Sequence, residues 1–188
     1  DGWADRAREG DHVVMKLLVD TPFELAGELE ANRDGDGAVV LDSPHLRFDN
    51  RRGLALNPHG LGPFSRLIVP GLPDRPGVYA VLSRDLVVAY IGRARDSLRT
   101  RWGRRGYAVI DPRNCFIGGQ STNCHINGLI TAGLSQGEGY TLWFHAIDPP
   151  DDLEGNLRWG LRPSWNIHLY NMVPIFPRLH CRRPRASR

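Results

Sequence analysis

Residues 77–92 have the sequence GVYAVLSRDLVVAYIG, and this stretch decides the fold. Two apolar runs rich in β-favouring side chains, residues 77–83 and 86–91, flank a short polar segment at Arg84-Asp85. Strands of this length on either side of a polar turn are typical of a β-hairpin. We therefore expect a tight antiparallel hairpin at the centre of the domain.

The hairpin contains two tyrosines whose positions depend on the turn. A turn centred between Arg84 and Asp85 predicts that Tyr79 and Tyr90 lie directly opposite each other on one face. On that evidence alone, an ordinary aromatic cross-strand pair is the simpler interpretation, because such pairs are common in antiparallel sheets.

The segments after the hairpin alternate between helical and strand patterns. We expect a short helix at about residues 96–105 and a longer helix from about Ser121, where apolar residues recur at helical spacing. Residues 141–147 alternate as a strand does, and a last helix begins at Asp151 or Asp152 and ends before Pro163. This order predicts a small α+β sandwich. The apolar stripes of the two longer helices are Ile126, Leu129, Ile130 and Leu134, and then Leu153, Leu157 and Leu161.

Residues 1–75 carry weaker patterns. Residues 21–24 provide an N-cap threonine, a proline in the first turn and a capping-box glutamate, and so predict a helix that ends near Asn32. Short strands are expected at residues 39–41 and 67–69. We therefore divide the chain into an N-terminal α/β extension over residues 1–75, a main domain over residues 76–170 and a basic tail over residues 171–188.

The motifs of the main domain resemble those of the GIY-YIG nuclease superfamily. Gly77-Val78-Tyr79 and Tyr90-Ile91-Gly92 are similar to its hairpin signature, and Arg101 is similar to the arginine of its next segment, with Arg99 as the alternative if the register shifts. The resemblance covers residues 76 to about 168 and implies a three-stranded antiparallel sheet flanked by helices. A third motif matches at Glu154, Leu157, Pro163 and Asn166, at the family's own offsets.

The resemblance implies a divalent-metal-dependent DNA endonuclease of the restriction or defence type. Glu154 would hold one Mg²⁺ or Mn²⁺ ion, although the pattern Asp151-x-x-Glu154 is also that of a simple capping box. Tyr79 would activate water with a pKa lowered by neighbouring arginines, unless metal-bound water is the base. Tyr90 would bond the phosphate or the water, and Arg101 would stabilise the transition state.

Two positions depart from the family pattern. Arg93 stands where many relatives carry lysine, and Arg105 stands where some carry histidine, so neither position provides a proton relay but both keep phosphate affinity. The helix start at residues 120–123 offers backbone N–H groups for a phosphate, with ordinary N-capping as the alternative. The residues expected to contact phosphate or DNA are Arg93, Arg95, Arg99, Arg105, Gln120, Ser121, Thr122 and Asn123, with Gly92 and Asn166 in supporting positions.

The charge distribution favours double-stranded DNA as the partner. The net charge is only +3, but six arginines against one acid lie in residues 93–105, and five arginines without an acid lie in the last eleven residues. Clustered arginines are typical of proteins that bind phosphate backbones. A homodimer on DNA is expected, because one site cuts one strand. The alternative function is a catalytically inactive GIY-YIG-fold module that binds nucleic acid.

Cysteine usage and hydropathy indicate the cellular setting. Three cysteines without a CxxC pair favour a reducing cytoplasm over a disulfide scaffold. No apolar run has the length of a membrane span, so we expect no membrane partner. An alternative zinc site has no common finger spacing, and its candidate ligands are Cys115, Cys124, His125, His180 and Cys181.

Overall fold

The computed structural model describes residues 15–103 and 106–166. Its regular elements are six strands and three α-helices, joined by loops that include two short 3₁₀ helices. In chain order the elements are β1 (Met15–Leu18), β2 (Thr21–Ala31), a 3₁₀ helix (Pro44–Arg47), β3 (Leu67–Ile68), β4 (Gly77–Ser83), β5 (Val88–Ala94), α1 (Leu98–Arg101), a 3₁₀ helix (Pro112–Cys115), α2 (Ser121–Ser135), β6 (Tyr140–Ala146) and α3 (Asp151–Leu161).

All six strands belong to one antiparallel sheet. Its order is β1-β2-β6-β4-β5, and β3 pairs with β2. The α+β class predicted from the sequence is confirmed, but the prediction of a three-stranded sheet is wrong. The expected hairpin and last strand form its centre and one edge, and β2 extends it by pairing along β6. Strands on both sides of residue 75 therefore share a sheet, while the proposed division of the chain at that point stays a prediction.

Strand β2 corrects the helix expected from Thr21 to Asn32. The sequence after Pro22 alternates apolar and acidic side chains, and the structure buries Phe23, Leu29 and Ala31 while the glutamates between them stay exposed. A period of two is the pattern of a half-buried strand. The capping signal at Thr21 was misleading, because pairing with β1 and β6 satisfies the backbone that a helix would have satisfied internally.

A bulge at Gly27 lets β2 contribute to both faces of the sheet. The register with β6 shifts between Leu25 and Gly27. Gly27 has φ +151°, a backbone conformation that residues other than glycine rarely adopt. Phe23 packs in the core beneath α3, whereas Leu29 packs in the core beneath α2. The extra residue therefore reverses which face the alternation buries.

The hairpin of β4 and β5 forms as predicted, but its register differs. Tyr79 lies opposite Gly92, and Tyr90 lies opposite Val81, so the predicted direct pairing of the two tyrosines is wrong. The turn is wider than expected, since Ser83 N donates to Val87 O, and a bulge between Val81 and Leu82 adds another offset. The two tyrosines remain diagonal neighbours on one face, with ring centroids 6.2 Å apart.

The two longer helices cover opposite faces of the sheet. The stripe predicted for α2 is confirmed for three of its four members, Ile126, Ile130 and Leu134, which are buried in the core that contains Tyr79, whereas Leu129 is only partly buried. The stripe predicted for α3 packs on the other face, where Leu157 is buried. Helix α3 packs against β5, whereas α2 contacts β2.

The remaining predictions for the N-terminal part have mixed outcomes. The strand expected at residues 67–69 is confirmed as β3 over Leu67–Ile68. Residues 39–41 form no strand, and instead Val39 makes an isolated bridge with Arg33. Within the part of the chain that the structure describes, no helix has the length and apolar character needed to cross a membrane. The basic tail at 171–188 lies outside the described residues.

Candidate functional site

A cavity of about 250 Å³ lies beside the β5 edge of the sheet. Strands β4 and β5, helices α1, α2 and α3, and the segment after α3 all contribute side chains to it. All four residues predicted to be catalytic, together with Gly92 and Asn166, line this one cavity. Its lining consists of Tyr79, Tyr90, Gly92, Arg93, Arg101, Thr122, His125, Glu154, Arg158, Trp165 and Asn166.

The segment after α3 closes the edge of β5 and forms one wall of the cavity. Trp165 N donates to Ala89 O at 3.0 Å. The Asn166 side chain accepts from Ile91 N at 3.0 Å and donates to Ile91 O at 2.8 Å. This amide therefore pairs with the backbone of β5 as a neighbouring strand would. Asn166 thus holds β5 in position, and its side chain bonds no residue of α3, the helix that carries Glu154.

Three phenols and one guanidinium form a buried hydrogen-bond network behind the cavity wall, and Tyr79, Tyr90 and Arg101 of this network line the cavity. The Tyr107 hydroxyl accepts from Arg101 Nη2 at 2.7 Å and from Tyr79 at 3.2 Å, and it lies 3.1 Å from the Tyr90 hydroxyl. Arg101 Nε also donates to the Tyr79 hydroxyl at 3.3 Å. The Arg101 guanidinium lies 4.5 Å from the centre of the Tyr107 ring, which adds a cation–π contact. Tyr107 therefore links the two tyrosines of the hairpin to the arginine.

Burial favours the protonated form of two phenols of the network, Tyr79 and Tyr90, by raising their pKa values. Desolvation raises the pKa of Tyr79 well above 10, neighbouring Tyr107 and Tyr90 add to the rise, and Arg101 only partly opposes it. Burial also raises the pKa of Tyr90, and the neighbouring Tyr107 adds to this rise. The expectation that neighbouring arginines bring the pKa of Tyr79 below its ordinary value is therefore wrong, because burial outweighs the lowering effect of Arg101. In the free protein this phenol is a hydrogen-bonding group and not a base.

Gly92 leaves the space that the Tyr79 side chain occupies. A Cβ atom at Gly92 would lie 2.5 Å from the Tyr79 hydroxyl oxygen and 2.8 Å from a ring carbon of Tyr90. Both distances are shorter than a van der Waals contact. The glycine that ends the YIG segment is therefore needed for both phenols to reach the cavity.

Glu154 forms ion pairs and does not cap its helix. Its Oε2 accepts from Arg93 Nη1 at 2.7 Å, and its Oε1 accepts from Arg158 Nη1 at 3.0 Å. The start of α3 has no side-chain cap, so the capping-box alternative for Glu154 is wrong. The carboxylate is 6% exposed and is held between two guanidinium groups at the cavity wall.

The donor set fits a single hard cation that is completed by water and substrate. Each oxygen of Glu154 accepts one guanidinium hydrogen bond, which leaves a second lone pair on each oxygen. Among residues 15–103 and 106–166, no three His, Cys, Asp or Glu side chains gather as a metal cage. Mg²⁺ commonly binds one or two carboxylates and keeps several waters. Glu154 therefore fits such an ion, whereas a closed zinc site needs more protein ligands.

The rival arginines of α1 differ in their surroundings. Arg101 lines the cavity, whereas Arg99 is exposed and donates to Asp74 at 3.2 Å. Arg95 also points outward, and its hydrogen bond to Asp151 at 2.6 Å lowers the pKa of that carboxyl. The geometry therefore places Arg101 rather than Arg99 beside the phenols. Arg105 lies outside the described residues.

A second cavity of about 410 Å³ shares Arg93 and Arg101 with the first. Arg95 and Gln120 also line it, whereas Thr122 lines the first cavity. The other two polar residues predicted at the start of α2, Ser121 and Asn123, line neither of the two. Four of the predicted phosphate contacts, Arg93, Arg95, Gln120 and Thr122, therefore line one or both of these cavities.

Sequence patterns did not identify three polar residues at the first cavity: Arg158 and His125, which line it, and Tyr107, which bonds residues that line it. Tyr107 and Arg158 belong to no quoted motif, although Arg158 follows Glu154 by one helical turn, a spacing that favours an ion pair. His125 was considered only as a zinc ligand, and its Nε2 lies 3.3 Å from Trp165 O. Burial and the neighbouring His59 imidazole lower the pKa of His125. His145, on β6, lies outside the cavity and bonds the Pro22 carbonyl.

The cysteines provide no support for the alternative zinc site within the described residues. Cys115 and Cys124 are buried and free, and the Cys124 thiol donates to Asn114 O at 3.3 Å. The other candidate ligands, His180 and Cys181, lie outside the described residues. The thiols of Cys115 and Cys124 pack in a small core with Phe64, Ile110 and Phe116.

Comparisons with known proteins identify no relative of this chain. No protein-family model matches it, and neither a curated protein nor a solved structure does.

Proposed function

We propose that this protein is a divalent-metal-dependent endonuclease that hydrolyses phosphodiester bonds of double-stranded DNA. The observation that carries the proposal is the meeting of Tyr79, Tyr90, Arg101 and Glu154 in one cavity, although they come from four different elements. These residues were singled out by motif resemblance, and chemically they provide what phosphodiester hydrolysis needs. A restriction or defence role, with action as a homodimer in the cytoplasm, is part of the same proposal.

The guanidinium groups would bind the phosphate. Arg101 is largely buried, and the neighbouring phenol oxygens outweigh the opposing effect of burial and raise its pKa, so it stays charged. A charged donor in a buried site is worth more to a developing phosphorane charge than one in water. Arg93 reaches both cavities and can therefore contact the scissile phosphate or its neighbour.

The phenols would orient the substrate and the attacking water. Tyr79 donates a hydrogen bond to Tyr107, accepts one from Arg101 and stays neutral, so it can hold a water molecule by hydrogen bonding without acting as the base. His125 is a neutral imidazole on the cavity wall, and an imidazole of lowered pKa can accept a proton at neutral pH.

Glu154 would hold the metal ion. A divalent ion bound there supplies positive charge to the phosphate oxygens and lowers the pKa of a bound water. Arg93 and Arg158 hold the carboxylate in place through ion pairs.

The test is cleavage of supercoiled plasmid with Mg²⁺ or Mn²⁺ by the wild type and by Glu154→Ala. We expect nicked or linear plasmid with the wild type, no cleavage with Glu154→Ala, and DNA binding by both. Glu30→Ala, at an exposed glutamate of β2, is the matched control and should cut normally.

Three other outcomes discriminate among functions. DNA binding in EDTA without cleavage in either metal would favour the inactive binding module. Absence of both binding and cleavage would refute a nucleic-acid function. Unchanged cutting by Glu154→Ala would remove Glu154 from the mechanism. Digestion of unmethylated phage DNA into discrete fragments would then show sequence specificity.

A further inference from the structure

Arg158 lines the candidate active-site cavity but has no counterpart among the predicted site residues. It lies on α3 one turn after Glu154, and its side chain is 24% exposed. Its Nη1 donates to Glu154 Oε1 at 3.0 Å. The simplest account of Arg158 is that it holds Glu154 in place through this contact alone.

The contact with Glu154 uses only a small part of the hydrogen-bonding capacity of Arg158. A guanidinium carries five N–H donors, and among the described residues Arg158 uses one of them for a side-chain hydrogen bond. Its Nε is buried and has no acceptor there. Arg101, by contrast, donates from Nε and from Nη2. The side chain is 24% exposed and lines the cavity, so its unused N–H donors can bond a group that enters the cavity.

The charge of the cavity indicates what kind of ligand these donors could bind. Its lining holds three arginines, Arg93, Arg101 and Arg158, against the single carboxylate of Glu154, an excess of two positive charges. Asp151 also approaches Arg93, at 3.4 Å, but it is bonded more closely to Arg95, so the excess stays at two when that pair is included. An anion with several acceptor oxygens would satisfy both the charge and the free donors.

We propose that Arg158 contacts a phosphate group of bound DNA, as a second guanidinium of the cavity beside Arg101. This inference rests on the proposed nuclease function. A phosphodiester offers two non-bridging oxygens, and the planar fork of arginine matches such a pair. Arg158 would then keep its hydrogen bond to Glu154 through one nitrogen while its other N–H groups bond the phosphate.

The test measures DNA affinity in a Glu154→Gln background, in EDTA and at several salt concentrations. Neutralising Glu154 removes the ion pair, so any remaining effect of Arg158 cannot act through that carboxylate. We expect Arg158→Gln to weaken binding about tenfold and to reduce the slope of log K against log salt by about 0.9, the value for one lost phosphate contact. Arg158→Lys should keep most of the slope, because it keeps the charge.

The control is Arg162→Gln, at an exposed arginine just after the same helix, which should change neither affinity nor slope. Circular dichroism melts of every variant show whether loss of binding reflects unfolding. If Arg158→Gln is silent in the Glu154→Gln background while that background binds DNA, Arg158 only positions Glu154 and the inference is refuted. If the wild type neither binds nor cuts DNA, the proposed function fails as well, which is a different result.

Discussion

The hydroxyl of Tyr107 accepts a hydrogen bond from Arg101 Nη2 at 2.7 Å and connects the arginine to both tyrosines of the hairpin. Tyr107 itself is fully buried and comes from the loop before α2. The arrangement makes this phenol the group on which the positions of the other three depend.

Tyr107→Phe tests that dependence. Without the hydroxyl, the Arg101 Nη2 donor and the Tyr79 proton lose their acceptor in a buried site, so we expect a loss of about 2 kcal/mol in unfolding free energy. Because Arg101 would also shift, the cleavage rate should fall about 100-fold. Urea unfolding and plasmid cleavage measure the two effects.

The matched control is Tyr140→Phe, which removes a phenol that bonds Glu138 outside the cavity. It should leave the cleavage rate within about twofold of the wild type, because the hydroxyl that it removes bonds Glu138 and no residue that lines the cavity. Equal cleavage rates for the wild type and Tyr107→Phe would show that Tyr107 does not position Arg101.

Local patterns predicted the parts of this fold that pack by themselves. The hairpin, α2 and α3 follow from runs of apolar residues at one period, and the offsets around Glu154 pointed to the cavity. The register of the hairpin could not be predicted, because it depends on Leu86, which adopts a positive φ of 61°, and on a bulge. Tyr107 could not be found, since its contacts with Tyr79 and Tyr90 join residues far apart in sequence.

Gly92→Ala tests whether space above β5 is required. The added methyl group would overlap the Tyr79 hydroxyl and the Tyr90 ring, and overpacking of this kind costs about 1–3 kcal/mol. We expect lower stability in urea unfolding and strongly reduced cleavage.

Gly155→Ala is the control for this change. Nothing lies within 4 Å of a Cβ atom at Gly155, which is inside α3. Alanine there should stabilise the protein by about 0.5–1 kcal/mol, because glycine is a poor helix former, and should leave cleavage unchanged. Wild-type cleavage by Gly92→Ala would show that the two phenols can move without loss of function.

Asn166→Ala tests the closure of the sheet edge. The substitution removes both partners of the Ile91 peptide, so a buried N–H and a buried carbonyl lose their hydrogen bonds. We expect a loss of about 2–4 kcal/mol in unfolding free energy. Amide hydrogen exchange at Ile91 should accelerate far more than exchange in β6. Unchanged protection of Ile91 would contradict the role assigned to Asn166.

His125 predicts how stability depends on pH. Folding lowers its pKa below the ordinary value of 6.5, so the unfolded chain binds more protons than the folded one as the pH falls through that range. Stability should therefore decrease from pH 7.5 toward pH 5.5. The lowered pKa values of Asp42 and Asp151 act below 3.8, outside this window.

His125→Gln keeps a donor for the Trp165 carbonyl but does not titrate. Thermal melts of this variant should show a shallower decrease over the same pH interval than melts of the wild type. Identical pH dependence in both proteins would show that His125 is not responsible for it.

The bulge in β2 means that one residue decides which face of the sheet each later side chain of that strand occupies. Deleting Gly27 would turn Leu29 and Ala31 toward the α3 side and direct Glu28 and Glu30 into the apolar layer beneath α2, because successive side chains alternate between faces. The remaining side chains would be the same, yet each one in the second half of the strand would face the opposite side of the sheet. A loss of one residue there should be more harmful than loss of a whole turn such as residues 34–37, which lies at the surface.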